Sequence, residues 1–197
     1  MSEQLPQLLM RRPHLRDLPP VQTPAGYAVR HFRRGDERGW NRLMDLAFER
    51  GRGRSSFERE MAADTAYRPE RVQLVVHEGS GAVVATASAW QDARYGEEAV
   101  VLHWVAAHPD HGGRGLGTQV SLAALHRGVA EGRSRSFLLT DDFRTAALKT
   151  YLRLGFEPVI THVSHPERWR MILRSLSWPE RFDAVLAGPR ESFQPPR

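Results

Sequence analysis

Residues 27–32, Tyr-Ala-Val-Arg-His-Phe, alternate apolar and polar positions, the period of a half-buried strand. Asp36 stands where a helix cap is expected, and Trp40, Leu43, Met44, Ala47 and Phe48 then recur at helical spacing as one apolar stripe. The segment 51–56, GRGRSS, reads as a loop, with Ser56 placed to cap a short helix over 57–64. Strands follow at 72–77 and 82–90, joined by a turn at 78–81 that contains Gly79 and Gly81. Residues 99–107 form a nearly continuous apolar run rich in β-branched and aromatic side chains, the pattern of a central strand buried on both faces. After a glycine-rich turn, 116–131 reads as a helix with two apolar stripes. A strand at 136–140, a helix at 143–154, a strand at 156–162 and a helix at 166–176 complete the pattern. The order β-α-α-β-β-β-α-β-α-β predicts an α/β domain built around a mixed sheet.

Composition narrows the class. With 197 residues, 41% hydrophobic and 26% charged, the chain is long enough to bury a core without staples. It has no cysteine, which excludes disulfides, thiolate-bound metals and a cysteine nucleophile. Nine of the 13 prolines fall in residues 1–24 and 177–197. Those ends are expected to carry little regular structure, as a proline-rich N-terminal arm and a C-terminal tail flanking a domain at 25–176. No apolar run approaches the roughly 18–20 residues of a membrane span. The opening MSEQLPQLLMRR places its arginines after a short apolar stretch, the reverse of a secretory signal, so the protein is read as cytoplasmic. Net charge is +5, and every basic residue except Lys149 is arginine. That excess favours anionic partners without choosing among them. The N-terminal arginines lack interleaved aromatics, so a nucleic-acid partner is not expected.

The chemistry-bearing stretch is Val105 to Phe156. Glycines at 112, 113, 115 and 117 sit between the buried strand and the first turn of a helix. Such a turn brings backbone N–H groups close to a ligand, and the helix N-terminus adds partial positive charge, which suits a phosphate or diphosphate. A Walker A loop is excluded because no lysine follows Gly117, and the spacing G-x-G-x-G is not the dinucleotide fingerprint. No G-x-S-x-G elbow is present, and His103, His108 and His111 have no carboxylate partner that would complete a zinc site. No metal is expected.

Two motifs in order resemble the GNAT superfamily of acyl-CoA-dependent N-acetyltransferases. Gly115 and Gly117 match the small positions of its [QR]-x-x-G-x-[GA] loop. Ala147, Tyr151, Gly155 and Phe156 match its A-x-x-x-Y-x-x-x-G-F signature. Gly112 departs from the pattern, standing where the family usually has Gln or Arg, and Arg144 stands where it often has Asn. Asp141 or Asp142 is placed to cap the helix that carries Tyr151.

The resemblance implies a fold with a mixed sheet of about six to seven strands flanked by helices. It implies acetyl-CoA as co-substrate. Val105, Ala106 and Ala107 would then offer backbone groups to the pantetheine arm. Gly112, Gly113, Arg114, Gly115, Leu116, Gly117 and Thr118 would surround the diphosphate. Tyr151 would protonate the departing thiolate. His103 falls where the family's base often sits, and an imidazole with a pKa of about 6.5 is a competent base near neutrality. Glu97 and Glu98 are weaker candidates. The implied reaction is direct attack of a primary amine on the thioester in a ternary complex, the acceptor being a small molecule or a protein amine. Acceptor selectivity is expected from residues 36–64, above all the loop 49–56, and from 91–98. A homodimer is compatible with this reading. The alternative is a non-catalytic acyl-CoA-binding sensor or interaction module on the same fold.

Overall fold

A computed structural model of the chain describes residues 5–178 and 182–188. Among these, seven strands form a mixed sheet with helices flanking it, as the α/β reading expects. The chain divides into two units: His14–Ser136, and the described residues up to Pro13 together with those from Phe137 on.

The larger unit holds β2 (Tyr27–His31), α1 (Glu37–Ala47), β3 (Val72–His77), β4 (Val83–Trp90), β5 (Ala99–Ala107) and α2 (Leu116–Ala130). Its strands run in the order β2-β3-β4-β5, each antiparallel to the next. Every residue of β4 is buried, as a central strand requires. The stripe on α1 reaches the core: Trp40, Leu43 and Met44 are buried. Phe57 stacks on Phe32 at 4.1 Å and meets Trp40 edge-on at 5.3 Å. The expected short helix after Ser56 is a single π turn, Glu58–Ala62, with the Ser56 hydroxyl accepting from the Arg59 N–H at 3.4 Å. Arg71, just before β3, holds Glu131 at the end of α2 at 2.9 and 3.0 Å, and Arg127 adds a third contact at 2.8 Å. This ion cluster fixes the helix whose other end carries the glycine turn.

The second unit contains β1 (Leu8–Arg12), α3 (Thr145–Arg153), β7 (Glu157–Val159), α4 (His165–Ser175) and α5 (Asp183–Ala187), and β6 (Arg135–Thr140) enters it at Phe137. β1 lies between β6 and β7. It pairs antiparallel with β7 through Leu9 and Val159. The proline-rich segment 1–24 is therefore not without regular structure. Pro6 and Pro13 bracket a strand whose Leu8, Leu9 and Met10 are fully buried. In the stretch 177–197, residues 183–187 form a helical turn, and 179–181 and 189–197 lie outside the described residues.

Two expected caps are corrected. Asp36 occupies the N-cap position of α1, but its side chain does not cap the helix. The Arg30 guanidinium holds that carboxylate at 2.6 and 2.8 Å, with the Arg33 N–H at 2.7 Å. Likewise α3 begins after Arg144 with no side-chain cap. Asp142 is taken by Arg168 of α4, whose Nε donates at 2.8 Å, and Asp141 by Arg144 at 3.1 Å. In both places a charge-assisted pair outcompetes the weaker bond to a backbone N–H. β7 is also shorter than the expected 156–162, because the chain turns at His162, whose Nδ1 accepts from the Ser164 N–H at 3.2 Å.

Candidate cofactor and catalytic site

β5 runs straight into the glycine turn, and both lie in the larger unit. Ala99 to Leu102 are buried, but His103, Trp104 and Val105 are half-buried and Ala107 is exposed, so the strand opens toward its C-terminal end. Its pairing with β4 shifts register between Thr86 and Ser88, with Ser88 opposite His103 and Thr86 opposite Ala106. A bulge of this kind needs one residue out of extended geometry. That residue is Trp104, whose φ is +48°, uncommon for a side chain of that bulk.

The turn has the features of an anion cradle. Gly113 and Gly115 have φ of +75° and +73°, which aim successive amides in directions an L-residue resists. Gly115 is the N-cap of α2, so the first-turn amides of Leu116, Gly117 and Thr118 have no partner within the helix. A Cβ placed on Gly113, Gly115 or Gly117 would meet nothing within 4 Å, so the cradle is open on that side. Gly112 is different: a Cβ there would lie 3.0 Å from the Pro109 carbonyl. The tight turn Pro109–His111 accounts for glycine at this position, where the family pattern usually has a long side chain. Arg114 is exposed and donates to the Asp110 and Gly112 carbonyls at 3.2 Å each, so its guanidinium is held against the turn.

His103 lies 5.8 Å from Trp90 and 5.0 Å from Trp104, ring centre to ring centre. Burial lowers its pKa to about 4, against a smaller opposing pull from Asp64 and Asp92. The imidazole is therefore neutral across the physiological range and free to accept a proton, but it is a weaker base than an exposed histidine. Ser88 Oγ and the indole N–H groups of Trp40 and Trp104 are buried with no hydrogen-bond partner. Glu97 and Glu98 are both exposed.

Tyr151 belongs to the other unit. It is buried on α3, 5% exposed, with its ring 6.1 Å from Phe156. Burial pushes its hydroxyl pKa well above the usual tyrosine value, so the group holds its proton. The helix ends as the signature requires. Gly155 has φ +81°, its N–H bonds to the Leu152 carbonyl at 3.2 Å, and the Phe156 N–H bonds to the Tyr151 carbonyl at 3.0 Å.

His111 accepts or donates to the Tyr27 hydroxyl through Nδ1 at 2.9 Å and lies 5.3 Å from His108. Among the described residues no group of three or more His, Asp or Glu is arranged to hold a metal ion. No described helix is long and apolar enough to cross a membrane.

A bulged strand, a left-handed glycine turn and a helix N-terminus in series define a class of protein, and comparison with known proteins gives the same class. The model of the acetyltransferase (GNAT) family matches residues 38–156, and the chain belongs to that family. A mycothiol acetyltransferase of Kytococcus sedentarius is 31% identical over 186 residues, covering 84% of this chain. The chain spans 58% of that relative's length. Among solved structures, a GCN5-related N-acetyltransferase from Sphaerobacter thermophilus has the same fold, with a TM-score of 0.58 at 24% identity, over 78% of this chain and 49% of that one. So has yncA from Salmonella typhimurium, solved with its cofactor acetyl-CoA, with a TM-score of 0.54 at 18% identity over 67% and 80% of the two chains.

Proposed function

We propose that the protein transfers the acetyl group of acetyl-CoA to a primary amine, by direct attack of the amine in a ternary complex. The observation that carries this reading is the open turn after β5, where Gly113, Gly115 and Gly117 leave a face clear for a diphosphate. Bound there, acetyl-CoA supplies an acetyl group activated as a thioester. The amides of residues 112–118 would hold the diphosphate. Backbone groups of Val105, Ala106 and Ala107 would orient the arm, and the open end of β5 favours that role. His103 takes the proton the amine loses as the new C–N bond forms. Because its pKa is about 4, it passes that proton to solvent rather than retaining it. Tyr151, kept protonated by burial, donates to the sulfur as the C–S bond breaks. The family resemblance supports Tyr151 in this role.

The test is CoA release with a panel of amines, for the wild type and Tyr151→Phe. The expected result is acceptor-dependent release that falls roughly 10- to 1,000-fold in the variant, with acetyl-CoA affinity nearly unchanged. Tight acetyl-CoA binding with no turnover on any amine would favour the sensor instead.

A further inference from the structure

The loop after α1 is built, not slack. Asp45, 9% exposed, accepts from the Gly53 N–H at 2.6 Å and the Ser55 N–H at 2.7 Å, and these bonds hold its carboxyl below the usual range. Glu60 accepts from the Ser56 N–H at 2.9 Å, and Asn41 from the Phe57 N–H at 2.7 Å. Arg50 rises from this frame. Its guanidinium lies 4.9 Å from the centre of the Trp104 ring and 5.3 Å from that of Phe48. Through Nη1 it meets Glu60 at 2.5 Å and Ser55 Oγ at 3.4 Å. The N–H groups on Nε and Nη2 have no partner among the described residues, and the side chain is 30% exposed.

The ring side of this contact is strained backbone. Among the described residues only Asp17, Glu49, Trp104 and Ser177 have left-handed backbone without being glycine. Glu49 is the ordinary left-handed end of α1, with the Arg50 N–H on the Asp45 carbonyl at 3.0 Å, which fixes where Arg50 leaves the helix; Trp104, on whose ring Arg50 rests, is the residue in the bulge of β5. A bulky residue held in left-handed backbone beneath a charged side chain is the kind of strain found at functional sites. Trp104 also lies 5.0 Å from His103, so one indole neighbours both the guanidinium and the proposed base.

We infer that Arg50 binds an anionic group, a carboxylate, on the acceptor, so that the amine acetylated belongs to an amino acid or a short acidic peptide. The inference rests on the acetyltransferase reading above. The N–H groups on Nε and Nη2 form one free edge that matches the paired oxygens of a carboxylate, and the aromatic platform holds the fork without requiring the ligand to order it. With its carboxylate on Arg50, the acceptor is placed beside Trp104, the neighbour of the proposed base.

The experiment measures KM and kcat for amino acids and dipeptides beside their C-terminal amides, using wild type, Arg50→Gln and Arg50→Lys. The expected result is that the wild type prefers each acid over its amide. Arg50→Gln should raise KM for the acids about tenfold or more and leave KM for the amides unchanged, with Arg50→Lys in between. Acetyl-CoA affinity should stay constant throughout. Equal KM changes for acids and amides would make Arg50 a structural prop and overturn the inference alone. So would wild-type turnover of neutral amines with no preference for acids. Absence of turnover on every amine would remove the acetyltransferase reading and this inference together.

Discussion

Replacing Gly117 with leucine separates the fold from the ligand. Gly117 is the second residue of α2, has no left-handed φ, and a Cβ there would meet nothing within 4 Å. In a helix leucine is favoured over glycine by roughly 0.4–1 kcal/mol. For a chain of this size the melting temperature should rise by roughly 1–4 °C. The same side chain, larger than the alanine that the family pattern admits here, fills the open face across which a diphosphate would approach the first-turn amides. Holding the phosphates off those donors should weaken acetyl-CoA binding by about tenfold or more, or roughly 1.4 kcal/mol. Differential scanning fluorimetry without ligand and calorimetric titration with acetyl-CoA read the two effects independently. A variant that melts higher and binds more weakly fits the account. Unaltered affinity would refute the reasoning, because the face left clear by glycine would then have no ligand to receive.

Two further outcomes follow from the same geometry. Gly155→Ala combines a φ of +81° with a Cβ 2.8 Å from Arg12 Nη1, and that guanidinium also donates to the Leu154 carbonyl. The variant should lose roughly 1–3 kcal/mol, and a melting temperature equal to that of the wild type would contradict this. His103 and His165 are both lowered to about 4 in the folded protein, mainly by burial. In the unfolded chain they take up protons near pH 6.5, so stability should be full above about pH 6.5 and fall as pH drops toward 4. Each shift is worth roughly 3 kcal/mol when fully expressed. Urea midpoints at pH 7, 5.5 and 4.5 should decline in order, and midpoints that do not move would refute it.

What could be read from the sequence follows from how far apart the interacting residues lie. The run from β5 through the glycine turn to α2 was legible because its signals are local: an apolar strand, four closely spaced glycines, then helical periodicity. The end of α3 was legible for the same reason, since Gly155 and Phe156 close the helix on residues one turn back. Leu8–Arg12 was hidden by the prolines around it, although its consecutive Leu-Leu-Met is the mark of a buried strand. The caps at Asp36 and Asp142 were misread because the arginines that claim those carboxylates lie 6 and 26 residues away. The bulge at Trp104 and the Arg50 platform leave no trace in composition or periodicity. Tryptophan is a good strand former, and its left-handed backbone depends on pairing across the sheet.

Binding of the diphosphate at the turn after β5 is what the proposed activity requires first. Isotope-labelled protein titrated with CoA, followed amide by amide in solution, tests this directly. The largest saturable shifts should fall on Gly113 and on Gly115 through Thr118. Saturable binding that leaves those amides unmoved while others shift would place the ligand elsewhere and contradict the account.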